Sequence, residues 1–207
     1  MTRTNQNLTR IIQALCLTTL LLVPSAASAG GFELTPFMGY QFGGDVTTFY
    51  EGSYHDVSIS SSENFGLMVN IDLGDTVQLE FLYSTQDTGA DAKRFDNKLD
   101  LTIDYWQVSG LWSFNPYEQF NPYFVVGLGA TSLRPDGFSG ETKFSGNIGG
   151  GVKIRFSDAI GLRFEGRLYG TYISSTTSYC DPFWCYGYTN SLYQFDVSAG
   201  LIIRFGD

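Results

Sequence analysis

The last strand-like segment of the chain constrains the fold most. In Ser191–Phe205 the odd-numbered positions from Tyr193 to Phe205 are apolar, and the even-numbered ones are polar or small apart from Ile202. A period of two residues is typical of a β-strand with one apolar and one polar face. Strands of soluble proteins usually span about 5–6 residues. This longer segment has the length of a tilted strand that crosses a bilayer.

Seven earlier segments repeat the alternation, at 32–42, 58–73, 77–84, 98–114, 123–131, 143–156 and 160–172. In the first of them we expect a local irregularity at Pro36, because proline cannot donate to a sheet ladder. In the fourth, the apolar side chains move from odd positions to even ones, which indicates a β-bulge near Tyr105–Trp106. Together with the final segment, these predict an all-β fold, an eight-stranded antiparallel transmembrane up-and-down β-barrel.

The connections between these segments alternate in length. The longer ones are 43–57, 85–97, 134–141 and 174–190, and the shorter ones are 74–75, 115–121 and 157–159. All long loops would therefore emerge at one end of the barrel. Outer-membrane barrels have an even number of strands, short turns at one end and longer loops at the other, whereas a soluble barrel has no reason to sort its loops.

Aromatic side chains indicate that the apolar face points outward. They cluster at the short-turn end (Phe32, Phe114, Phe124, Phe156, Phe205) and at the long-loop end (Tyr40, Phe65, Tyr83, Phe144, Tyr172, Tyr193). Two such girdles are typical of membrane interfaces. Ten residue steps of strand at a tilt of roughly 45° rise about 23 Å, close to the apolar band of about 25 Å in such barrels. In the alternative, a soluble barrel, the same apolar face would be the core.

The polar face carries charges of both signs in nearly equal number. The predicted interior charge network comprises Glu33, Asp72, Glu80, Lys153, Arg155, Arg163, Glu165, Arg167, Asp196 and Arg204. Side chains just fill the interior of an eight-stranded barrel. Paired charges there would satisfy one another, and we expect them largely to plug the lumen.

The first 29 residues form a separate unit, predicted to be a cleaved signal peptide. Arg3 and Arg10 give a basic start, 11–23 is apolar, and Ala27–Ala29 provides a small-residue cleavage site before Gly30. The apolar run is too short for a transmembrane helix. Residues 30–207 are then the barrel domain.

Charge excludes some classes of partner. Two of the 12 basic residues and none of the 21 acidic ones lie in the leader, which leaves ten against 21 and a net charge of −11. This balance argues against nucleic acid and against docking on anionic lipid, since phosphate binding needs clustered Lys and Arg.

Two cysteines remain after the leader, Cys180 and Cys185, within CDPFWC. Export would place them in an oxidising compartment, so we predict a disulfide across a small loop. Their spacing, without a nearby histidine, does not suit zinc. We expect no metal and no cofactor.

At this point the chain resembles the outer-membrane β-barrel superfamily of Gram-negative bacteria, in particular the eight-stranded OmpA-like and OmpX-like membrane domains. The blocks that carry the resemblance are YWQVSGLWSFNP (105–116), NPYFVVGLGAT (121–131) and the final amphipathic strand. The resemblance implies an outer-membrane location and recognition of a terminal aromatic residue by the barrel-assembly machinery. Here Gly206 and Asp207 follow Phe205, a departure from that terminal signal.

No catalytic constellation is recognisable in the sequence. His55 could act as a base for Ser53, but members of a catalytic triad meet through the fold, and sequence neighbours rarely do. The segment GNIGGG (146–151) lacks the lysine and the helix that a phosphate-binding loop requires.

The sequence therefore predicts an integral outer-membrane barrel, not an enzyme, with a structural, surface-interaction or weakly porin-like role. A lipid-modifying barrel enzyme and a soluble secreted β-barrel binder are the alternatives. The expected partners are outer-membrane lipid, lipopolysaccharide and, during biogenesis, the barrel-assembly machinery. The chain is expected to be a monomer.

Overall fold

A computed structural model describes residues 31–50, 53–92, 99–137, 140–174, 179–180, 185–186 and 189–206 of the chain. Its strands are β1 (Phe32–Phe42), β2 (Asp45–Tyr50), β3 (Ser53–Ile59), β4 (Ser62–Asp72), β5 (Val77–Ala92), β6 (Leu99–Ser113), β7 (Phe120–Pro135), β8 (Glu141–Arg155), β9 (Ile160–Ser174), β10 (Tyr179–Cys180), β11 (Cys185–Tyr186) and β12 (Thr189–Phe205). Nowhere in these ranges is there a helix long and apolar enough to cross a membrane.

Eight of the strands form a closed antiparallel barrel. Their order around the ring is β5, β4, β1, β12, β9, β8, β7 and β6, and pairing of β6 with β5 closes it. Each strand therefore has a partner on both sides, which removes the exposed edges that an open sheet would present. The predicted eight-stranded up-and-down barrel is confirmed.

The long-loop end contains more strand than the sequence indicated. Residues 43–57, predicted as a loop, contain β2 and part of β3, which form a hairpin, and 57–59 pairs with 90–92 of β5. Strands β5 and β7 also continue into segments predicted as loops. Polar sequence does not by itself mark a loop, because the backbone hydrogen bonds of a strand do not require an apolar face. The β-branched and aromatic residues of β2 favour a strand even beside glycine and aspartate.

The ladder of β1 is interrupted where Pro36 was expected to disturb it. Pairing with β12 runs to Leu34, skips Thr35 and Pro36, and resumes at Phe37 in the same register. Pairing with β4 is continuous through these positions. The irregularity is thus confirmed and is confined to one side of the strand.

The β-bulge predicted near Tyr105–Trp106 is wrong. The ladder of β6 with β5 and its ladder with β7 both pass through these residues without a shift of register. Ile103 and Tyr105 point into the barrel and are buried, whereas Trp106 and Val108 face outward. The apolar residues of β6 therefore lie on the inner face up to Tyr105 and on the outer face from Trp106. No bulge is needed, because part of the barrel interior is itself apolar.

The outer face carries the large apolar side chains and the inner face most of the polar ones. Trp106, Ile148 and Tyr193 are 58%, 58% and 62% exposed, whereas Arg163 and Glu165 are 1% and 5% exposed. The aromatics of both predicted girdles lie on the outer face. This arrangement is opposite to that of a soluble barrel, whose core would hold the apolar rows.

Candidate functional site

The candidate site is the interior of the barrel, where charged side chains from opposite walls meet. Arg163, Glu165 and Arg167 occupy alternate positions of β9, so all three point inward. Glu80 points inward from β5, which lies four strands away from β9 in either direction around the ring. Contacts between these two strands therefore cross the whole lumen.

Two arginines and two glutamates form a closed ring, which we call the central plug (Glu80, Arg163, Glu165 and Arg167). Arg163 Nη2 lies 2.6 Å from Glu80 Oε2, and Arg167 Nη2 lies 2.6 Å from Glu80 Oε1. On the other side of the ring Arg167 Nε lies 2.6 Å from Glu165 Oε1, and Arg163 also pairs with Glu165. Each charge thus has two partners of opposite sign. Burial of an ion pair is costly unless this kind of pairing is nearly complete.

Three neutral side chains satisfy the remaining polar atoms of the central plug. Tyr123 Oη donates to Glu165 Oε2 at 2.6 Å and accepts from Arg163 Nε at 2.7 Å. The Arg163 guanidinium also lies over the Tyr123 ring, 4.8 Å from its centroid. Asn70 donates to Glu80 at 3.1 Å, and Asn147 accepts from Arg167 at 3.3 Å.

Sequence reasoning missed these three residues as members of the site. Their inward positions could be read from the alternation, since Tyr123 is out of phase with the outward Phe124 and Val126. Their hydrogen bonds could not be read, because they depend on which residues of distant strands lie at the same height.

A second cluster, the lower plug (Glu33, Asp72, Lys153 and Arg204), lies at the short-turn end. Lys153 pairs with Glu33, and Arg204 lies 3.0 Å from Glu33 Oε1 and 2.6 Å from Asp72 Oδ2. Gln78 joins the cluster by donating to Asp72 at 2.6 Å and accepting from Lys153 at 2.6 Å. The lower plug links β1, β4, β8 and β12, so the lumen is crossed again below the central plug.

Two predicted members of the network lie apart from both plugs. Arg155 is at the end of β8, and its Nη2 donates to the backbone carbonyl of Glu118 at 2.9 Å in the turn before β7. Arg155 is the last residue of β8 and makes no ion pair with either plug among the described residues. Asp196 is buried inside the barrel, where it accepts a hydrogen bond from Asn64 Nδ2 at 3.0 Å, outside the plugs.

Glycines of β8 allow a close approach of the β9 backbone. A Cβ at Gly151 would lie 2.0 Å from the Phe164 carbonyl oxygen and 2.7 Å from Tyr123 Oη, and a Cβ at Gly149 would lie 2.7 Å from the Gly166 carbonyl oxygen. Both glycines belong to the GNIGGG segment, which is continuous strand within β8. Its glycine content thus serves close packing inside the barrel.

An apolar cluster occupies much of the rest of the lumen. It includes Phe37, Met68 and Leu82 and extends to Ile59 and Leu192 near the long-loop end. Within it Tyr105 and Tyr169 pack with ring centroids 4.3 Å apart, and Tyr105 Oη donates to Gln194 Oε1 at 2.5 Å. These contacts close the lumen above the plugs.

The other candidate groups of the sequence lie at the long-loop end. His55 and Ser53 belong to β3, and their side chains lie outside the described part. Cys180 and Cys185 are opposite each other in the pairing of β10 with β11, and the disulfide stays a prediction. Over the described residues, no group of three or more His, Cys, Asp or Glu side chains is placed to hold a metal ion.

Comparison with known proteins identifies the family and the fold. The family model for the outer membrane protein beta-barrel domain matches residues 14–205. The chain is similar to OprG from Pseudomonas aeruginosa, with 12% identity, a TM-score of 0.60, and 86% of this chain and 97% of that chain covered.

Neisserial surface protein A is similar at 12% identity and a TM-score of 0.55, with 86% of this chain and 100% of that chain covered. The N-terminal β-barrel domain of Pseudomonas aeruginosa OprF is similar at 17% identity and a TM-score of 0.50, with the same coverage. At these identities the likeness carries the fold alone. No curated protein sequence matches the chain.

Proposed function

Because the chain belongs to the outer membrane protein beta-barrel domain family, we propose that it is a closed integral barrel whose role is structural or in surface contacts. Family membership places it in the outer membrane of Gram-negative bacteria. Transport through the lumen is then at most weakly porin-like, and activity resides in the parts that the long-loop end presents to the outside.

The observation that carries this proposal is the central plug. Its four side chains reach across the barrel from β5 to β9, and Glu80, Arg163 and Arg167 are at most 1% exposed. The lower plug and the apolar cluster obstruct the lumen on either side of it. An eight-stranded barrel has an interior that side chains can fill completely.

Conductance across a planar bilayer tests the closed lumen. The full chain, refolded and inserted, is expected to give only small or rare current steps. A paired variant, Glu80→Ala with Arg167→Ala, removes one acid and one base from the central plug without unbalancing its charge. We expect this variant to conduct more than the unaltered protein. A large, steady pore in the unaltered protein would refute the closed lumen.

We further propose that residues 1–29 direct export and are removed, and that the barrel is a monomer inserted by the assembly machinery. Its surroundings are then outer-membrane lipid and lipopolysaccharide. Fractionation of cells, followed by electrophoresis of boiled and unboiled samples, tests this. A mobility shift in the outer-membrane fraction supports the proposal, and recovery from the aqueous fraction without detergent contradicts it.

The protein is proposed not to be an enzyme. The inward polar side chains of the plugs are committed to one another, and the outward face that meets lipid is apolar. Mass spectra of lipid A from cells with and without the protein test this directly. A protein-dependent change in acylation would favour a lipid-modifying barrel instead.

A further inference from the structure

One buried carboxyl group of the interior has no positive partner. Asp196 points inward from β12 and is 2% exposed. Its neighbour across the ladder on β9 is Arg167, whose guanidinium is held by Glu80 and Glu165. Among the described side chains, no basic nitrogen lies within 4.0 Å of an Asp196 carboxyl oxygen. An ion pair therefore does not offset the charge that Asp196 carries when it is ionised.

The charges of the two plugs balance without Asp196. Four acids (Glu33, Asp72, Glu80, Glu165) meet four bases (Lys153, Arg163, Arg167, Arg204), and each base pairs with at least one of the acids. An ionised Asp196 would be one surplus negative charge. An isolated ionised carboxylate in a protein interior is so unfavourable that the group takes up a proton instead.

The surroundings of Asp196 are tightly filled. A Cβ added at Gly39 would lie 2.5 Å from Asn64 Oδ1, 2.9 Å from the Val197 carbonyl oxygen and 3.0 Å from Asp196 Oδ2. These three oxygen atoms thus crowd against the backbone of β1 at Gly39. A proton bound to Asp196 needs no additional room, so this crowding does not oppose it.

Asn64 supplies the acceptor that a protonated Asp196 requires. Its Nδ2 donates to Asp196 Oδ2 at 3.0 Å, while its Oδ1 is buried without a hydrogen-bond partner. The two amide atoms are nearly equal in size, so a half-turn of the amide brings Oδ1 to the place of Nδ2. The Asp196 hydroxyl then donates to Asn64 Oδ1 within the usual O–H···O range. The turned Nδ2 borders the same space as the Val197 carbonyl oxygen, which is an acceptor.

We propose that Asp196 carries a proton in the folded barrel in mildly acidic medium, in which an exposed aspartate is ionised, and releases it as the pH rises. The proton is taken up from solvent on folding and returns to solvent when Asp196 ionises. Because the folded barrel then holds one proton more than the unfolded chain, its stability falls as the pH rises through this range. This pH-sensitive element does not depend on whether the lumen is closed.

Loss of the proton acts on the central plug. The charged and titratable groups around Asp196 are Glu165, Arg167 and Tyr169 of β9 and Tyr105 of β6, while β1 and β4 present the neutral Gln41 and Asn64. The nearest base in the ladder is Arg167. An ionised Asp196 therefore competes with Glu80 and Glu165 for Arg167 and weakens the ring that these residues form.

Infrared spectra of the refolded full chain in lipid vesicles detect the proton directly, since a protonated carboxyl group has a C=O stretch that a carboxylate lacks. At about pH 5.5 exposed aspartates are ionised, because they titrate near about pH 3.9. The spectrum of the unaltered protein minus that of Asp196→Asn should show one protonated carboxyl group at this pH, and the band should be lost in alkaline medium. Glu63→Gln, which removes an exposed carboxylate from β4, should leave the band unchanged.

Unfolding in urea measures the linkage between the proton and stability. One proton held only by the folded barrel raises the unfolding equilibrium constant by up to about tenfold per pH unit. From about pH 5 to about pH 8, the constant of the unaltered protein should therefore rise at least about fivefold relative to that of Asp196→Asn. The comparison removes the contributions of the other titrating groups, and asparagine keeps the shape of the protonated acid.

Three results would overturn the proposal. They are the absence of a protonated-carboxyl band at mildly acidic pH, a band that Asp196→Asn retains, and unfolding constants that respond equally to pH in both proteins. If Asp196→Asn does not fold, Asn64→Leu decides, because it removes the acceptor and keeps the acid. The band of the protonated carboxyl group should then shift to higher frequency, and an unshifted band contradicts the proposal.

Discussion

Removal of one carboxylate from the central plug should destabilise the barrel strongly. In Glu80→Gln the side chain keeps its size, but Arg163 and Arg167 then share the single charge of Glu165. Glu80 is buried and contacts both guanidinium groups at 2.6 Å. Loss of one partner of a buried ion pair costs about 3–5 kcal/mol, because the other charge stays buried without compensation.

The free energy of unfolding, measured in urea with the protein in lipid vesicles, gives the magnitude. Tryptophan fluorescence follows the transition, and equal denaturant slopes for all variants justify the comparison of midpoints. The matched control is Glu63→Gln, whose carboxylate is exposed, and its expected effect is below about 0.5 kcal/mol.

A double-mutant cycle separates the pairing from the general cost of altering a buried side chain. Arg167→Gln alone leaves Arg163 facing two glutamates and should also be costly. With Glu80→Gln it restores one acid against one base, so the double variant should be at least about 2 kcal/mol more stable than the sum of the single effects predicts. Additive effects, or a loss below about 1 kcal/mol in Glu80→Gln, would refute the closed ring of charges.

Three further predictions concern the packing, the lipid face and the cysteines. Gly151→Val places a Cβ 2.0 Å from the Phe164 carbonyl oxygen and 2.7 Å from Tyr123 Oη, so the backbone must shift, and overpacking of this kind should cost at least about 1–3 kcal/mol in the same urea assay. Leu168→Arg puts a charge on the outward face between the aromatic girdles and should cost about 2–4 kcal/mol in vesicles. Oxidised protein should give no free thiol from Cys180 and Cys185 in the denatured state, and reduction should release two.

Controls for these predictions are available in the same chain. Gly74→Ala adds a methyl group where nothing lies within 4 Å, so it should leave stability nearly unchanged. Thr142→Arg adds an outward charge near the long-loop end of β8 and should be tolerated, because it lies close to the membrane interface. If Leu168→Arg were tolerated equally well, the outward face would not be in contact with lipid.

The departures from the sequence-based predictions have a common physical origin. Period-two alternation shows which residues share a face of a strand. It does not show whether that face contacts polar or apolar side chains at a given position along the barrel axis. Ile103 and Tyr105 broke the expected polar-inside pattern and suggested a bulge, whereas they join an apolar cluster inside the barrel. Likewise β5 extends to Ala92 through polar residues, since its backbone pairs with β6 as far as Ala90 and with β3 as far as Ala92.

The sequence by itself determined the number of barrel strands, their outward and inward faces, the sorting of loops by length and the charged composition of the interior. These properties are local, because each follows from a repeat of two residues and from turn composition. Only the tertiary structure decided which charges pair, that Arg155 lies outside the plugs, and that Asp196 has no basic partner. Those facts depend on register and on contacts across the lumen between strands far apart in the chain. The alternation of residues along one strand does not determine either of them.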